Sequence, residues 1–384
     1  MYRLREEQQR VVSEAATIAA AQIGPDAARV DREGVFPERG ISALGDGGLL
    51  GLTVPAALGG RGQGLRTSAA VLDVVGQHCS STAMVYLMHL CGVACYLAAP
   101  EKTDAQLRAV ARGKHLSTLA FSETGSRSHF WAPVSRASGH DGSVKLNASK
   151  SFVTSAGHAH GYVVSTLAPY ATTPLESTLY LILAGDQGIR VAGAWKGVGM
   201  RGNASAPMTL ENVAVGADRA LSAVGKGLDM MLGVALPMFQ IGSAAVAIGI
   251  AEAAVQATIR HLTHARFEET NSTLSQLPTL RARLAQMRVE TDRARAHLTA
   301  VLDSIEAPGP ETQLLVLEVK AVATEAAASV TETAMRACGG AAFGGAHGIE
   351  RLFRDARAPI IMAPTTDQAY DFIGRALCGL ELFS

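Results

Sequence analysis

The sequence predicts an α+β chain in three parts, a compact β domain set between two helical regions. Three observations carry this reading. Apolar residues recur at spacings of three and four over 15–23, 41–50 and 68–99, the period of a helix with one buried face. Between about 115 and 220 the period shortens to two and turn residues separate the runs. From about 225 long helical patterns return and continue almost to the end. The expected boundaries are 1–113, 114–222 and 223–384.

In the first part the helices flank a glycine-rich loop, Leu52-Thr53-Val54-Pro55-Ala56-Ala57-Leu58-Gly59-Gly60-Arg61-Gly62. No strand–helix dinucleotide fingerprint surrounds it, so the loop reads as structural. His78, Cys79, His89, Cys91 and Cys95 fit no standard zinc spacing and lie among apolar residues; buried thiols and helix-face histidines are expected, and no metal site. In the second part, 144–147, 162–166, 179–184 and 207–215 alternate as strands, with Gly139-His140-Asp141-Gly142 as one of the turns. In the third, 228–264 reads as one helix kinked at Pro237. Helices over 277–304 and 311–337 follow, separated by Pro308-Gly309-Pro310. With the last helix these make a bundle of four.

Gly339-Gly340 and Gly344-Gly345 mark a break between helices. The run Arg354-Asp355-Ala356-Arg357 follows, with alternating charge at a helix end. Pro364 then starts a final helix whose first turn gathers Thr365, Thr366 and Asp367. Such a start suits a phosphate or a ring oxygen; a capped surface helix is the plain alternative.

The chain has 384 residues, 34 basic and 34 acidic, a net charge of +0 and 48% hydrophobic residues. A neutral balance gives no reason to expect nucleic acid. The charged N-terminus reads as neither signal peptide nor membrane span, and the most apolar later run, 241–254, is broken by glycine and serine and looks too short to span a bilayer. Five cysteines at irregular spacing suggest free thiols in a reducing cytoplasm.

Two β-domain stretches and the C-terminal run share a resemblance. Ser122-Glu123-Thr124-Gly125-Ser126-Arg127-Ser128-His129 resembles a T-E-P-x-x-G-S-D motif. Asn147-Ala148-Ser149-Lys150-Ser151-Phe152-Val153-Thr154-Ser155 resembles N-G-x-K-x-[FW]-I-T-N. The glycine run followed by R-D-A-R resembles the C-terminal segment of the acyl-CoA dehydrogenase family of flavoproteins. That likeness covers nearly the whole chain. It implies an N-terminal all-α domain, a middle β-barrel domain and a C-terminal four-helix bundle.

The resemblance implies bound FAD, an acyl thioester substrate on CoA or a carrier protein, and a homotetramer. The electron acceptor or flavin reductase stays unnamed. It places Ser122, Ser128, Phe152, Thr154, Thr365 and Asp367 around the flavin. Gly339 and Gly340 would complete a neighbour's site. The family's R-x-x-F-G loop falls on Arg266-Phe267-Glu268-Glu269-Thr270, which departs from it, so Arg336, where the family has glutamine, is expected to help hold the cofactor phosphates instead. Phe152 and Thr154, two apart on a strand, would point to one face; read without the family, Phe152 is a core residue. The family's catalytic glutamate falls on Ala363. Phe239, Gln240 and Pro237 stand where other ligand-handling residues would lie. Arg127 replaces a glycine and His129 an aspartate, adding bulk or positive charge at the mouth. Asp367, one helical turn beyond Ala363, is the nearest carboxylate in sequence and is expected to be either a relocated base or a cofactor ligand. The alternatives are a flavin monooxygenase on the same scaffold and a non-catalytic flavin-binding subunit.

Overall fold

The computed structural model describes residues 2–139 and 142–382; His140 and Asp141 of the expected turn lie outside the described residues. The helices α1 (Glu6–Ile18), α2 (Ala27–Glu33), α3 (Glu38–Asp46), α4 (Leu65–His78), α5 (Ser80–Leu97) and α6 (Pro100–Ala111) form the first part. The single helix expected over 68–99 is two. Cys79, between α4 and α5, is extended, with φ −153° and ψ 110°, so the chain turns there and both helices bury most of their residues.

The strands are β1 (Ser117–Ala120), β2 (Ser143–Val153), β3 (Gly161–Leu167), β4 (Ser177–Leu183), β5 (Ile189–Val191) and β6 (Ala206–Gly216). They make two three-stranded sheets, ordered β1-β3-β4 and β2-β6-β5. β1 runs parallel to β3, and the other ladders are antiparallel, with Val164 opposite Tyr180 and Ser149 opposite Thr209. Inward residues of both sheets, among them Leu146, Val164, Ile182 and Met208, share one small core. An isolated bridge between Glu123 and Lys150 ties the loop after β1 to β2.

The third part holds α7 (Gly227–Met230), α8 (Leu236–His264), α9 (Pro278–Glu306), α10 (Thr312–Phe343), α11 (Ile349–Asp355), α12 (Ala358–Ile361) and α13 (Thr366–Leu377). The kink expected at Pro237 is a π turn over Met231–Ala235, just before it. Proline lacks the N–H that would continue the ladder, and the wider turn absorbs the missing bond. The expected break follows the end of α10 at Phe343, where Gly344 and Gly345 lie, and Gly339, with φ 55° and ψ −135°, interrupts α10 itself.

The first and third parts do not fold apart. Residues from both build one large core: Val71 and Val75 of α4 and Leu87 of α5 with Ala244, Val246 and Ile250 of α8 and Val319 and Val330 of α10. The close approach of α4 and α8 needs glycine on each side. A Cβ on Gly249 would meet the Asp73 carbonyl oxygen, and one on Gly76 would stand 3.1 Å from that of Val246. This core corrects the reading of the apolar run 241–254. By length and composition both Ser80–Leu97 and Gly227–His264 are sufficient to cross a membrane; most of each is buried inside the protein, which is where their apolar surface goes.

The charged run after α10 is a strap between parts. Arg354 makes a two-pronged ion pair with Asp31 of the first part, at 2.9 and 2.5 Å, and donates to the Val198 carbonyl. Asp355 is buried and accepts from the Met200 amide at 2.6 Å. Burial pushes its carboxyl up to about 6, with the Met200 N–H opposing.

Candidate active site

A cavity of about 520 Å³ opens where the three parts meet. Its β-domain wall carries Leu119, Phe121, Ser122, Thr124, Arg127, Ser128, Phe152, Thr154, Trp195 and Ser205. Its helical wall carries Met84, Met88, Leu236, Phe239, Ile361, Met362 and Ala363. The lining is mostly apolar with hydroxyls set into one side, a common make-up for a site that takes an aromatic cofactor and an apolar substrate.

The strand argument for Phe152 and Thr154 is corrected. β2 carries an irregularity between Lys150 and Val153, and Phe152 has φ 56°, so simple alternation fails there. Phe152 and Thr154 still reach the same cavity. Phe152 is 69% exposed, with its ring edge-on to Trp195 at 6.4 Å between centroids. An exposed Phe152 ring beside the half-buried Trp195 on one cavity wall fits a planar ligand lying against them. Thr154 is buried and shares a 2.9 Å hydrogen bond with the Ser205 hydroxyl. These rings and adjoining hydroxyls fit an isoalloxazine ring, so the residues present suit a flavin.

Glu123 is the one carboxylate among the described lining residues, and it is fully engaged. It accepts from Lys150 Nζ at 2.6 Å, from the Val134 and Ser135 amides at 2.9 and 2.8 Å, and from the Ser135 hydroxyl. Burial alone would raise its carboxyl; the Lys150 ammonium and Ser135 outweigh that and hold it below the usual carboxylate range. Lys150 also donates to the Ser165 carbonyl at 2.5 Å, and burial draws its own pKa down against Glu123. This corner is a closed ion pair that shapes the wall, with no lone pair left to take a proton.

Ala363 lines the cavity where the resemblance placed a glutamate. The spacing argument for Asp367 is corrected. Ala363 is not in a helix: α13 begins at Thr366, with Thr365 as its cap. One-turn spacing therefore does not apply, and Asp367 is exposed and outside the cavity lining. Pro364 precedes the cap instead of starting the helix. The Thr365 hydroxyl accepts from the Gln368 amide at 3.2 Å while Gln368 reaches back to the Thr365 amide at 3.1 Å, a reciprocal capping box. Of the two readings of this helix start, the capped one describes it within a single chain.

Behind Ala363 stands Lys320 of α10, which sequence reasoning passed over. It is buried, and its Nζ donates to the carbonyls on either side of Ala363, Met362 at 3.0 Å and Pro364 at 2.7 Å. Burial without a nearby carboxylate lowers its ammonium to about 7. Nothing in one sequence separates this lysine from the surface lysines. Trp195 and Ser205 were missed for a like reason: each lies on a loop that only the fold brings to β2.

Arg336, Gly339 and Gly340 stand away from the cavity. Arg336 pairs with Glu332 at 3.0 Å on an exposed face, and both glycines are exposed. Arg266 is folded into its own loop, donating to the Asn271 carbonyl at 2.8 Å. Of the other departures, Arg127 and Phe239 line the cavity. His129 instead stacks on Trp131 at 4.8 Å, and Gln240 is buried toward α10. Cys79, Cys91, Cys95 and Cys338 are buried free thiols, and Cys378 is exposed. His89 accepts from the Ser117 amide and bonds the Leu50 carbonyl; among the described residues no cluster of three or more potential metal ligands occurs.

Known proteins agree with this architecture. Models of the acyl-CoA dehydrogenase N-terminal, middle and C-terminal domains match residues 5–114, 118–213 and 225–378 in turn. The chain is 27% identical over 385 residues to cyclohex-1-ene-1-carbonyl-CoA dehydrogenase of Geobacter metallireducens, covering 98% of this chain and 99% of that one. It superposes on butyryl-CoA dehydrogenase from Megasphaera elsdenii with a TM-score of 0.91 at 21% identity, covering 98% and 99%. On the prolyl acyl carrier protein oxidase AnaB the TM-score is 0.86 at 21% identity, covering 97% and 99%. With all three domain models in order along one chain, and a cavity shaped for a flavin where they meet, the protein belongs to the acyl-CoA dehydrogenase family of flavoproteins.

Proposed function

We propose that the protein is an FAD-dependent oxidoreductase acting on an acyl thioester, carried by CoA or by a carrier protein, without the family's usual glutamate. The observation that carries it is the cavity itself. Aromatic rings and hydroxyls on the β wall face an apolar helical wall from Met84, Met88, Phe239 and Ala363. The names of the relatives support the substrate class, since they include a CoA-thioester dehydrogenase and a carrier-protein oxidase.

A bound flavin supplies the acceptor for hydride from the substrate's β-carbon. This chain supplies the rest. Phe152 and Trp195 would flank the ring, Ser122, Ser128 and Thr154 would offer it hydrogen bonds, and the helical wall would keep water from the acyl chain. No free carboxylate on the described lining takes the α-proton, and lack of a positioned base costs about 10²–10⁴-fold. Oxidation of straight-chain acyl-CoA is therefore slow, and substrates with a more acidic α-hydrogen are preferred. We further propose a homotetramer in which Gly339 and Gly340, exposed in one chain, meet a neighbour; light scattering on the holoprotein checks it.

One observation favours a second reading. A cavity with no available base also suits a monooxygenase, where oxygen attacks and no α-proton need leave. Anaerobic mixing decides between them. Bleaching of the bound flavin by an acyl thioester supports the first reading. Failure to bleach, with reductase-driven oxygenation of a small thiol or phenol, supports the second.

A further inference from the structure

Arg127 is the one charged side chain on the cavity lining, among the described residues, that has no partner. It lines the cavity, it is exposed, and no hydrogen bond or ion pair joins it to any described residue. The other lining charge, Glu123, is neutralised by Lys150 at 2.6 Å. The field at the mouth is therefore that of one uncompensated guanidinium. Arg127 also has φ 54°, an unfavourable backbone state for a side chain that makes no internal contact. The amides of Arg127 and Ser128 donate to no described residue either, while the neighbouring Ser126 and His129 amides are bonded within the loop. Free amides beside a guanidinium, at a turn with a left-handed residue, make a concave anion site. The cation expected elsewhere for this task, Arg336, is paired with Glu332.

We infer that Arg127, with the backbone amides of its turn, binds a phosphate of a ligand seated in this cavity. The inference rests on the flavin reading of the site. Two sources carry that chemistry, the diphosphate of FAD and the phosphates of a CoA-type carrier. A guanidinium suits either, since its fork of donors matches two phosphate oxygens.

The test uses pairs of probes that differ in phosphate. Arg127→Gly removes the charge and relaxes the left-handed backbone, so the loop should keep its path; Arg127→Lys keeps the charge. Dissociation constants are measured by flavin fluorescence for FAD and for riboflavin on apoprotein. On holoprotein saturated with FAD, they are measured by flavin difference spectra for CoA and for pantetheine. Weakening of FAD by about 10-fold or more in Arg127→Gly, with riboflavin unchanged and partial recovery in Arg127→Lys, assigns the site to the cofactor. The same selective loss for CoA over pantetheine, with FAD unchanged, assigns it to the carrier. Either loss should shrink as salt is raised. Equal affinities for every probe overturn the inference, as does an equal loss for riboflavin and FAD, which would mean a damaged loop. If wild type binds neither FAD nor riboflavin, it is the flavin reading that fails.

Discussion

The two walls of the cavity each rest on a fully buried lysine, and the two lysines are kept in opposite ways. Lys150, under the β wall, faces the Glu123 carboxylate at 2.6 Å. Lys320, under the helical wall, faces the Met362 and Pro364 carbonyls and, among the described residues, no carboxylate. The first charge is balanced and the second is not. Burial lowers both, but Lys320 has no anion to oppose it and falls to about 7. The β wall is thus a closed electrostatic unit that tolerates no loss of a partner. The helical wall is held by a cation at the edge of titration, one residue from the place where a catalytic carboxylate would stand.

The sharpest way to break this contrast is to put an acid on the helical wall. Ala363→Glu should raise acyl-CoA-dependent flavin reduction by about 10²–10⁴-fold, the value of a positioned base. Anaerobic stopped-flow bleaching of the oxidised-flavin absorbance measures it against wild type. No gain, with FAD still bound, would point away from a thioester substrate and toward the monooxygenase.

On the β wall the large effect is on stability. Lys150→Met leaves the Glu123 carboxylate buried with its amide donors but without its cation, at a cost of about 3–5 kcal/mol. The double change Glu123→Leu with Lys150→Met should recover part of that, because removing both charges leaves none stranded. Urea midpoints of the four proteins in the cycle give the coupling. An additive result would mean that the pair does not act as a unit.

How far the sequence foretold these walls follows from the range of the signals involved. The three-part order and the strands β2, β3, β4 and β6 were legible, because hydrophobic period acts over a few residues, while the short β1 and β5 were not. The break at Cys79 was not, since apolar residues continue through it and only backbone dihedrals mark it. The role of Lys150 was hidden inside a motif that was legible, as its partner lies 27 residues away. Lys320 and Asp367 show the same limit from opposite sides. Sequence distance promoted Asp367, four residues from Ala363, and hid Lys320, which touches the turn across 42 and 44 residues.

A smaller effect tests the helical wall through pH. Unfolded lysine keeps its proton to about 10.4, while folded Lys320 loses it near about 7. Between those values the unfolded chain binds more protons, so the contribution of Lys320 to stability rises with pH across this window. Below about 7 the burial cost is present in full. The stability of wild type relative to Lys320→Met should therefore grow from pH 7 to pH 10, a window set by these two pKa values (about 7 and about 10.4). Parallel curves for the two proteins would show that Lys320 titrates normally and is solvated in a way its burial does not suggest.

The smallest effect belongs to Asp367. It is exposed on the first turn of α13, beyond a complete capping box, and the cavity lining does not include it. Its charge at the helix start is worth about 0.3–1 kcal/mol at low salt, and nothing in one chain gives it a reacting atom to touch. Asp367→Asn should leave flavin reduction within about 3-fold of wild type, less than the 10²–10⁴-fold loss of a general base. The urea midpoint should move only slightly, and less in high salt. A loss of FAD affinity with the chemical step intact would mean that Asp367 reaches a flavin in the assembled oligomer. A loss of the chemical step with FAD bound would restore it as the proton acceptor and place the missing base of the helical wall on a neighbouring subunit.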